Sequence, residues 1–235
     1  LFNNPPSFKF FGALENPDRT QIFFMPVVGY NMYDKIMPGI AFYNFLIPRK
    51  NFEYIFVPMY GLDSERLVGT GNVQYNIYPA AGAIQAIRPA FNIYSFSYAE
   101  DPFDLHFRKY SMDVTIDLRK FYPRSPVNMS GRLRSINIYE EDITWSFDDQ
   151  KYLKTSENLL FNDLTFTVSR NHNFNPWSVS VTAEMGDDYQ KSFVEAKYTF
   201  SFKNKSNGVD VRWFFGGFAN NNDPGKAIFK MSGWT

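Results

Sequence analysis

Long stretches of strict apolar–polar alternation restrict the fold of this chain more than any other feature. From Met112 to Arg119 every second residue is apolar, and the residues between are Asp, Thr, Asp and Arg. The same period of two runs through 164–169, 177–185 and 194–202. Because successive side chains of a β-strand point to opposite faces, this period predicts strands with one apolar and one polar face. No helical period competes with it, and the sequence predicts an all-β, antiparallel fold.

Turn residues punctuate the chain, for example at Asp63-Ser64-Glu65, 171–176 and Asp187-Asp188. They divide it into roughly twelve segments of about 10 to 14 residues, close to the length of a tilted membrane-crossing strand. Short hairpin connections are also expected at Gln190-Lys191. The sequence therefore predicts an antiparallel transmembrane β-barrel of roughly twelve strands. Residues 1–235 form one domain, and the barrel is either complete or incomplete at one or both ends.

The aromatic content fits such a barrel. Phe, Tyr and Trp make up 19% of the residues, although hydrophobic residues reach only 44%. Several rings, including Tyr30, Tyr60, Tyr122 and Tyr189, fall near predicted strand ends, where barrels carry aromatic girdles at the lipid–water interface. The mean hydropathy of -0.34 is no objection, because each strand turns only half its residues to lipid.

Alternation alone does not tell which face is buried, since a soluble sandwich or barrel alternates with its apolar face inward. Strand length, ring placement and mixed charges on the polar face favour lipid outside. The predicted lumen-facing residues are Asp113, Asp117, Arg119, Glu184, Glu195, Lys197, Asp210 and Arg212. The predicted lipid-facing residues are Val114, Ile116, Trp177, Val179, Val181, Tyr198, Phe200 and Trp213.

The first half of the chain is interrupted by prolines. Pro26, Pro38, Pro58 and Pro89 fall inside predicted strands, where each removes one hydrogen-bond donor from the ladder. We therefore expect bulges or rim positions, with the membrane-crossing part of each strand to one side of its proline.

Catalytic and metal-binding signatures are missing from the sequence. It has no cysteine, and its two histidines, His106 and His172, lack partners at metal-ligand spacing. The adjacent acids Glu140-Glu141 and Asp148-Asp149 are interpreted as solvated loop residues. We predict no catalytic, cofactor-binding or metal-binding residue, no cofactor and no enzymatic activity for this segment. Balanced charges, 24 basic against 24 acidic, give no reason to expect a nucleic-acid partner.

A resemblance is carried by the first hundred residues. The runs Pro6-Ser7-Phe8-Lys9-Phe10-Phe11 and Met25-Pro26-Val27-Val28-Gly29-Tyr30-Asn31, with Val57-Pro58-Met59-Tyr60-Gly61, Gly69-Thr70-Gly71 and Val73-Gln74-Tyr75-Asn76-Ile77, are similar to the C-terminal region of Bacteroidetes metallopeptidases of the gluzincin aminopeptidase type. The resemblance implies an outer-membrane barrel that follows a zinc peptidase domain. The zinc-binding His-Glu-x-x-His motif is absent from these residues, so the resemblance implies zinc and peptidase activity only for a domain outside this segment.

Three functions follow as expectations. The first is a bacterial outer-membrane barrel that anchors a fused periplasmic or surface domain, or another outer-membrane protein, with outer-membrane lipid as its surroundings. The second is a passive pore or transport barrel, and the third is a soluble β-barrel or sandwich that binds a ligand or glycan. The start at Leu1, without a signal segment, suggests a piece of a longer cell-envelope protein.

Overall fold

The strands of this protein follow one another with few interruptions. The computed structural model describes residues 7–11, 21–44, 50–99, 104–146, 151–202 and 208–222. The strands are β1 (Ser7–Phe10), β2 (Gln21–Asn31), β3 (Lys35–Tyr43), β4 (Phe52–Gly61), β5 (Arg66–Tyr75), β6 (Ile84–Ser97), β7 (His106–Leu118), β8 (Val127–Ser146), β9 (Lys151–Arg170), β10 (Trp177–Gly186), β11 (Tyr189–Ser201) and β12 (Gly208–Asn221). The described residues contain no helix long and apolar enough to cross a membrane.

The twelve strands form one sheet in sequence order, from β1 to β12. The ladders from β2 to β6 and from β9 to β12 are antiparallel, whereas β1 pairs with β2 in parallel. This confirms the predicted all-β class, the strand number and, β1 excepted, the antiparallel arrangement. β1 and β12 are the two end strands of the order, and closure into a barrel stays a prediction.

β8 and β9 are longer than the sequence led us to expect. Each has 20 residues, whereas β2 to β7 and β10 to β12 have 9 to 14. In its ladder with β10, β9 uses only Phe161 to Arg170. The preceding residues of β9, 151–158, are exposed. The turn between β8 and β9 falls on residues outside the described part of the chain.

The predicted hairpin at Gln190-Lys191 is wrong. The connection lies at Asp187-Asp188, and Gln190 and Lys191 both belong to β11. A register shift between these two residues, in the ladder with β12, identifies a bulge. A bulge interrupts the regular pairing of a strand, as a turn does, and polar residues such as Gln190 and Lys191 are compatible with either. The sequence alone therefore did not distinguish the bulge from a turn.

The bulges expected at the prolines are absent from one ladder of the strand at each of Pro26, Pro38 and Pro58. Pro26, Pro38 and Pro58 are each paired within uninterrupted stretches of the β2–β3 or β4–β5 ladder. The missing N–H donors affect the ladder between β3 and β4 instead. There Gly39 pairs with Met59, and the next pair is Phe42 with Phe56. Since a strand offers alternate N–H groups to its two neighbours, a proline can spare one ladder and weaken the other.

The described residues fall into two compact units. The first comprises residues 1–77, 88–112 and 136–159, and the second comprises 78–87, 113–135 and 160–235. Met37, Met59 and Val68 form a buried apolar cluster in the first unit, with Val27, Val57 and Phe96 packed against it. The predicted single domain stays a prediction.

Candidate functional site

The second unit has an apolar face that is exposed. Across β9, β10 and β11, Val181 lies opposite Phe166 and Val194. Farther along the same face, Ala196 lies opposite Trp213. Val181 is 49% exposed and Trp213 is 56% exposed. Soluble monomers rarely expose contiguous apolar patches of this kind, so the face is a candidate contact surface.

The opposite face of the same strands is polar and better protected. Asp163 is only 5% exposed, and its Oδ2 accepts a hydrogen bond from Nε of Arg134 at 2.6 Å. Arg132 adds a longer contact of 3.9 Å to the same carboxylate. Thr165 and Thr182 are hydrogen-bonded across β9 and β10 at 3.0 Å. The carboxylate of Asp163 and the two threonines therefore lie on the face opposite Val181 and Phe166.

Two further acidic residues on the polar face form ion pairs with nearby lysine and arginine side chains. Glu184 forms an ion pair with Lys191 at 2.9 Å and accepts a short hydrogen bond from the hydroxyl of Tyr189. Glu195 forms ion pairs with Arg212 and with Lys197, the latter at 3.1 Å. Glu184 and Lys191 lie directly opposite each other, and opposite charges in register across strands stabilise a sheet.

Fifteen of the sixteen residues predicted to line the two faces lie in strands and alternate there as their sequence spacing requires, whereas Arg119 lies outside the strands. The ladders place Glu184, Glu195, Lys197, Asp210 and Arg212 on one face, and Trp177, Val179, Val181, Tyr198, Phe200 and Trp213 on the other. Asp113 and Asp117 alternate with Val114 and Ile116 along β7. Arg119 follows the end of β7, and its guanidinium donates to the backbone carbonyls of Gly82 and Pro79 at 2.9 Å each. Which face meets lipid and which meets a lumen stays a prediction.

The first unit also exposes apolar side chains on one face of its strands and protects the other face. Val28 is 76% exposed and Leu67 is 71% exposed, whereas Met37 and Met59 of the apolar cluster are buried. The protected side also carries polar contacts, because Asn92 accepts a hydrogen bond from Asn72 at 2.6 Å and donates one to Ser111 at 3.2 Å. Packed apolar and hydrogen-bonded polar side chains therefore cover the protected face of the first unit.

A buried carboxylate joins three connections of the first unit. Asp34, in the turn between β2 and β3, is 0% exposed and accepts hydrogen bonds from Asn31 Nδ2, Ser64 Oγ and the backbone N–H of Ser97, at 2.6, 2.6 and 3.1 Å. Burial alone raises the pKa of Asp34, but the hydrogen bonds from Ser64, Ser97 and Asn31 outweigh it, and the pKa lies below its ordinary value.

Asp34 gives a prediction about pH. A folded-state pKa below the unfolded value means that this carboxylate stabilises the fold fully above the ordinary aspartate pKa of about 4 and loses that contribution as pH falls through the lowered value. We expect Asp34→Asn to cost about 1–3 kcal/mol at neutral pH and to remove part of the acid sensitivity. Urea unfolding at pH values from about 7 to about 3 measures this. Asp63→Asn, which changes an exposed acid in the turn between β4 and β5, is the control and should leave both quantities unchanged.

The interpretation of Glu140-Glu141 as solvated needs correction at Glu141. Its carboxylate lies 2.7 Å from Nζ of Lys154, 3.5 Å from Arg66 and 2.9 Å from the backbone nitrogen of His106, from which it accepts a hydrogen bond. Arg66 belongs to β5 and Lys154 to β9, and both are distant from Glu141 in sequence. The pair of adjacent acids therefore did not indicate these ion pairs. Asp148-Asp149 lies outside the described residues.

The two histidines lie in a strand and in a connection between strands. His106 is the first residue of β7, and His172 lies exposed between β9 and β10. His106 is 7% exposed, and its Nε2 lies 2.9 Å from Oγ of Ser95. Sequence reasoning missed this contact because the two residues are eleven positions apart on different strands. Among the described residues, no group of three or more His, Cys, Asp or Glu side chains is arranged to hold a metal ion.

Comparison with known proteins gives no relative: no protein-family model, curated protein or solved structure matches this chain.

Proposed function

We propose that this chain is the wall of a β-barrel in the bacterial outer membrane and that it acts there as the anchor or scaffold of a fused or partner domain. The observation that carries the proposal is the exposure of apolar side chains opposite a face of protected charges. Val181 and Trp213 are about half exposed, whereas Asp163 on the other face is 5% exposed. In water the exposed apolar face is unfavourable, whereas in a bilayer its side chains would lie in hydrocarbon and the charges would stay away from the lipid.

The strand lengths support the same proposal. Strands of 9 to 14 residues fit a tilted crossing of the hydrocarbon layer, which needs about 9–11 residues. Because a bilayer offers no water to unpaired backbone groups, closure of the sheet within the native protein is part of the proposal.

An anchor is favoured over an open pore by the filling of the protected face. In the first unit this face holds the cluster of Met37, Met59 and Val68. In the second unit it holds Asp163, Glu184 and Glu195, each in contact with Arg or Lys. Apolar clusters and paired charges narrow the space that a water-filled channel requires. In planar bilayers we therefore expect no steady conductance, and a stable ohmic conductance would favour the pore instead.

The test of insertion uses the protein folded into detergent or vesicles. We expect extraction from membranes only with detergent, and gel migration that changes on heating. A stable monomer in plain buffer would contradict the proposal and favour the soluble ligand-binding alternative. The anchoring role is tested separately by the mass of the native polypeptide. A mass far above 27.4 kDa would indicate that a further domain is fused to this one.

A further inference from the structure

We infer that Ser95 and His106 form a nucleophile–base pair that cleaves an acyl ester of a membrane lipid. The pair is defined by the 2.9 Å separation of Ser95 Oγ and His106 Nε2. That distance lies within the range in which imidazole removes a proton from a serine hydroxyl. The inference rests on the proposed membrane location, because the substrate class follows from it.

The pair lies on the same face of the first unit as its exposed apolar residues. The ladders place Ser95 opposite Gly69, and Gly69 opposite Pro58. The neighbouring pair on this face is Tyr60 with Leu67, and both side chains are exposed. Ser95 therefore belongs to the face that meets hydrocarbon in the proposed barrel.

A groove on this face reaches Ser95. It has a volume of about 320 Å³, and Phe56, Pro58, Leu67, Gly69, Ile93 and Ser95 are among its lining residues. This volume is at the lower end of the range for small-molecule sites. The lining is mostly apolar, and Ser95 and Thr70 are its two hydroxyl-bearing residues. An alkyl chain with a polar carbonyl at one end matches that distribution.

Gly69 creates the space beside Ser95. Its φ of 144° is one that side chains rarely adopt, and a Cβ at this position would lie 2.1 Å from the carbonyl oxygen of Val57. Without a side chain between Pro58 and Ser95, the groove stays open next to the hydroxyl. Gly69 thus gives access to the serine.

The position along the strands fits the depth of a lipid ester. Ser95 is two residues from the end of β6, and His106 is the first residue of β7. At about 3.3 Å per residue, the hydroxyl lies about 7 Å from the strand end. In a bilayer, ester carbonyls lie at the boundary between the hydrocarbon and the headgroups, where barrel strands end.

The imidazole keeps one nitrogen available. His106 is 7% exposed, and its Nδ1 has no hydrogen-bond partner among the described residues. A buried polar atom without a partner is costly and is expected mainly where function retains it. Glu141 holds the backbone nitrogen of His106 at 2.9 Å and so positions the residue.

The reaction is a hydrolysis in two steps. Ser95 Oγ attacks the ester carbonyl carbon while His106 Nε2 takes the hydroxyl proton, and the acyl C–O bond then breaks as His106 protonates the departing alcohol. Water next attacks the acyl-serine, with His106 taking its proton and returning it to Ser95. The products are a fatty acid and a lysolipid. Since no described carboxylate bonds Nδ1, turnover should be slow compared with a full triad.

Slow turnover makes covalent labelling the sharper experiment. The full chain is folded in detergent micelles, its fold is verified by circular dichroism, and it is treated with a hexadecyl fluorophosphonate. We expect modification of the peptide that contains Ser95, no modification of that peptide in Ser95→Ala, and labelling about a hundredfold slower in His106→Asn. Ser111→Ala is the matched control, because Ser111 is a buried serine hydrogen-bonded to Asn92 on the other face, and it should label like the wild type.

A second measurement fixes the substrate class. Protein in phosphatidylethanolamine and phosphatidylglycerol vesicles should release free fatty acid, and Ser95→Ala should not. A folded protein whose Ser95 is not labelled, or whose labelling persists in Ser95→Ala, overturns the pair and leaves the membrane proposal standing. Labelling at Ser95 in a protein that fails to enter vesicles contradicts the proposed function and, with it, the lipid substrate.

Discussion

Val181→Arg should destabilise the vesicle-folded protein by about 2–4 kcal/mol, the range found for arginine at the midplane on the lipid face of a barrel. Val181 lies in the middle of β10 and is 49% exposed. Its cross-strand neighbours Phe166 and Val194 are apolar, so no carboxylate is beside it to offset the new charge. Urea unfolding in phosphatidylcholine vesicles measures the change.

The size of the stability change caused by Val181→Arg distinguishes a lipid-facing position from one that is exposed to water. On a soluble protein, arginine at a half-exposed position changes stability by no more than about 0.5 kcal/mol. Ser180→Arg is the matched control, because it adds the same side chain one residue earlier, on the polar face and opposite Glu195. We expect the control to change stability much less than Val181→Arg. Equal effects at the two positions would argue against lipid on the Val181 face.

Asp163→Ala should also destabilise the protein strongly, by about 2–4 kcal/mol. Removal of one partner of a buried ion pair costs about 3–5 kcal/mol, and the smaller figure allows for the 35% exposure of the Arg134 side chain. The loss arises because Arg134 and Arg132 would then face each other without the carboxylate that now contacts both.

A control and a rescue define this effect. Asp210→Ala removes an exposed acid from β12 and should cost about 0.5 kcal/mol or less. Arg134→Met in the Asp163→Ala background should recover part of the loss, since it removes one unpaired charge. Unfolding midpoints of the wild type, Asp163→Ala, Arg134→Met and the double variant test the coupling. Additive losses would show that Asp163 and Arg134 do not act as a pair.

The second half of the fold was predictable because its side chains obey a single local rule. From Trp177 to Met185, alternation alone assigns each residue to a face, and the ladders of β10 with β9 and β11 reproduce that assignment. Neither the bulge at Gln190/Lys191 nor the length of β8 and β9 follows from alternation. A bulge depends on which residue of the partner strand lies opposite, and strand length depends on where pairing ends.

The candidate sites were less predictable because their members are distant in sequence. Asp34 reaches Ser97 across 63 positions, and Asp163 reaches Arg134 across 29. Ser95 and His106 carry no motif that distinguishes them from other strand residues. Such contacts depend on register between strands, which a period of two leaves undetermined. The proline positions show the same limit, since their effect falls on a neighbouring strand.

Bilayer contact along β10 tests the central claim most directly. The chain has no cysteine, so single cysteines at positions 179 to 183 can each carry a fluorophore without a background label. In vesicles with brominated lipids, the account predicts strong quenching at Val179→Cys, Val181→Cys and Ala183→Cys and weak quenching at Ser180→Cys and Thr182→Cys. Uniform quenching, or quenching on the polar positions, would contradict a lipid-facing apolar face.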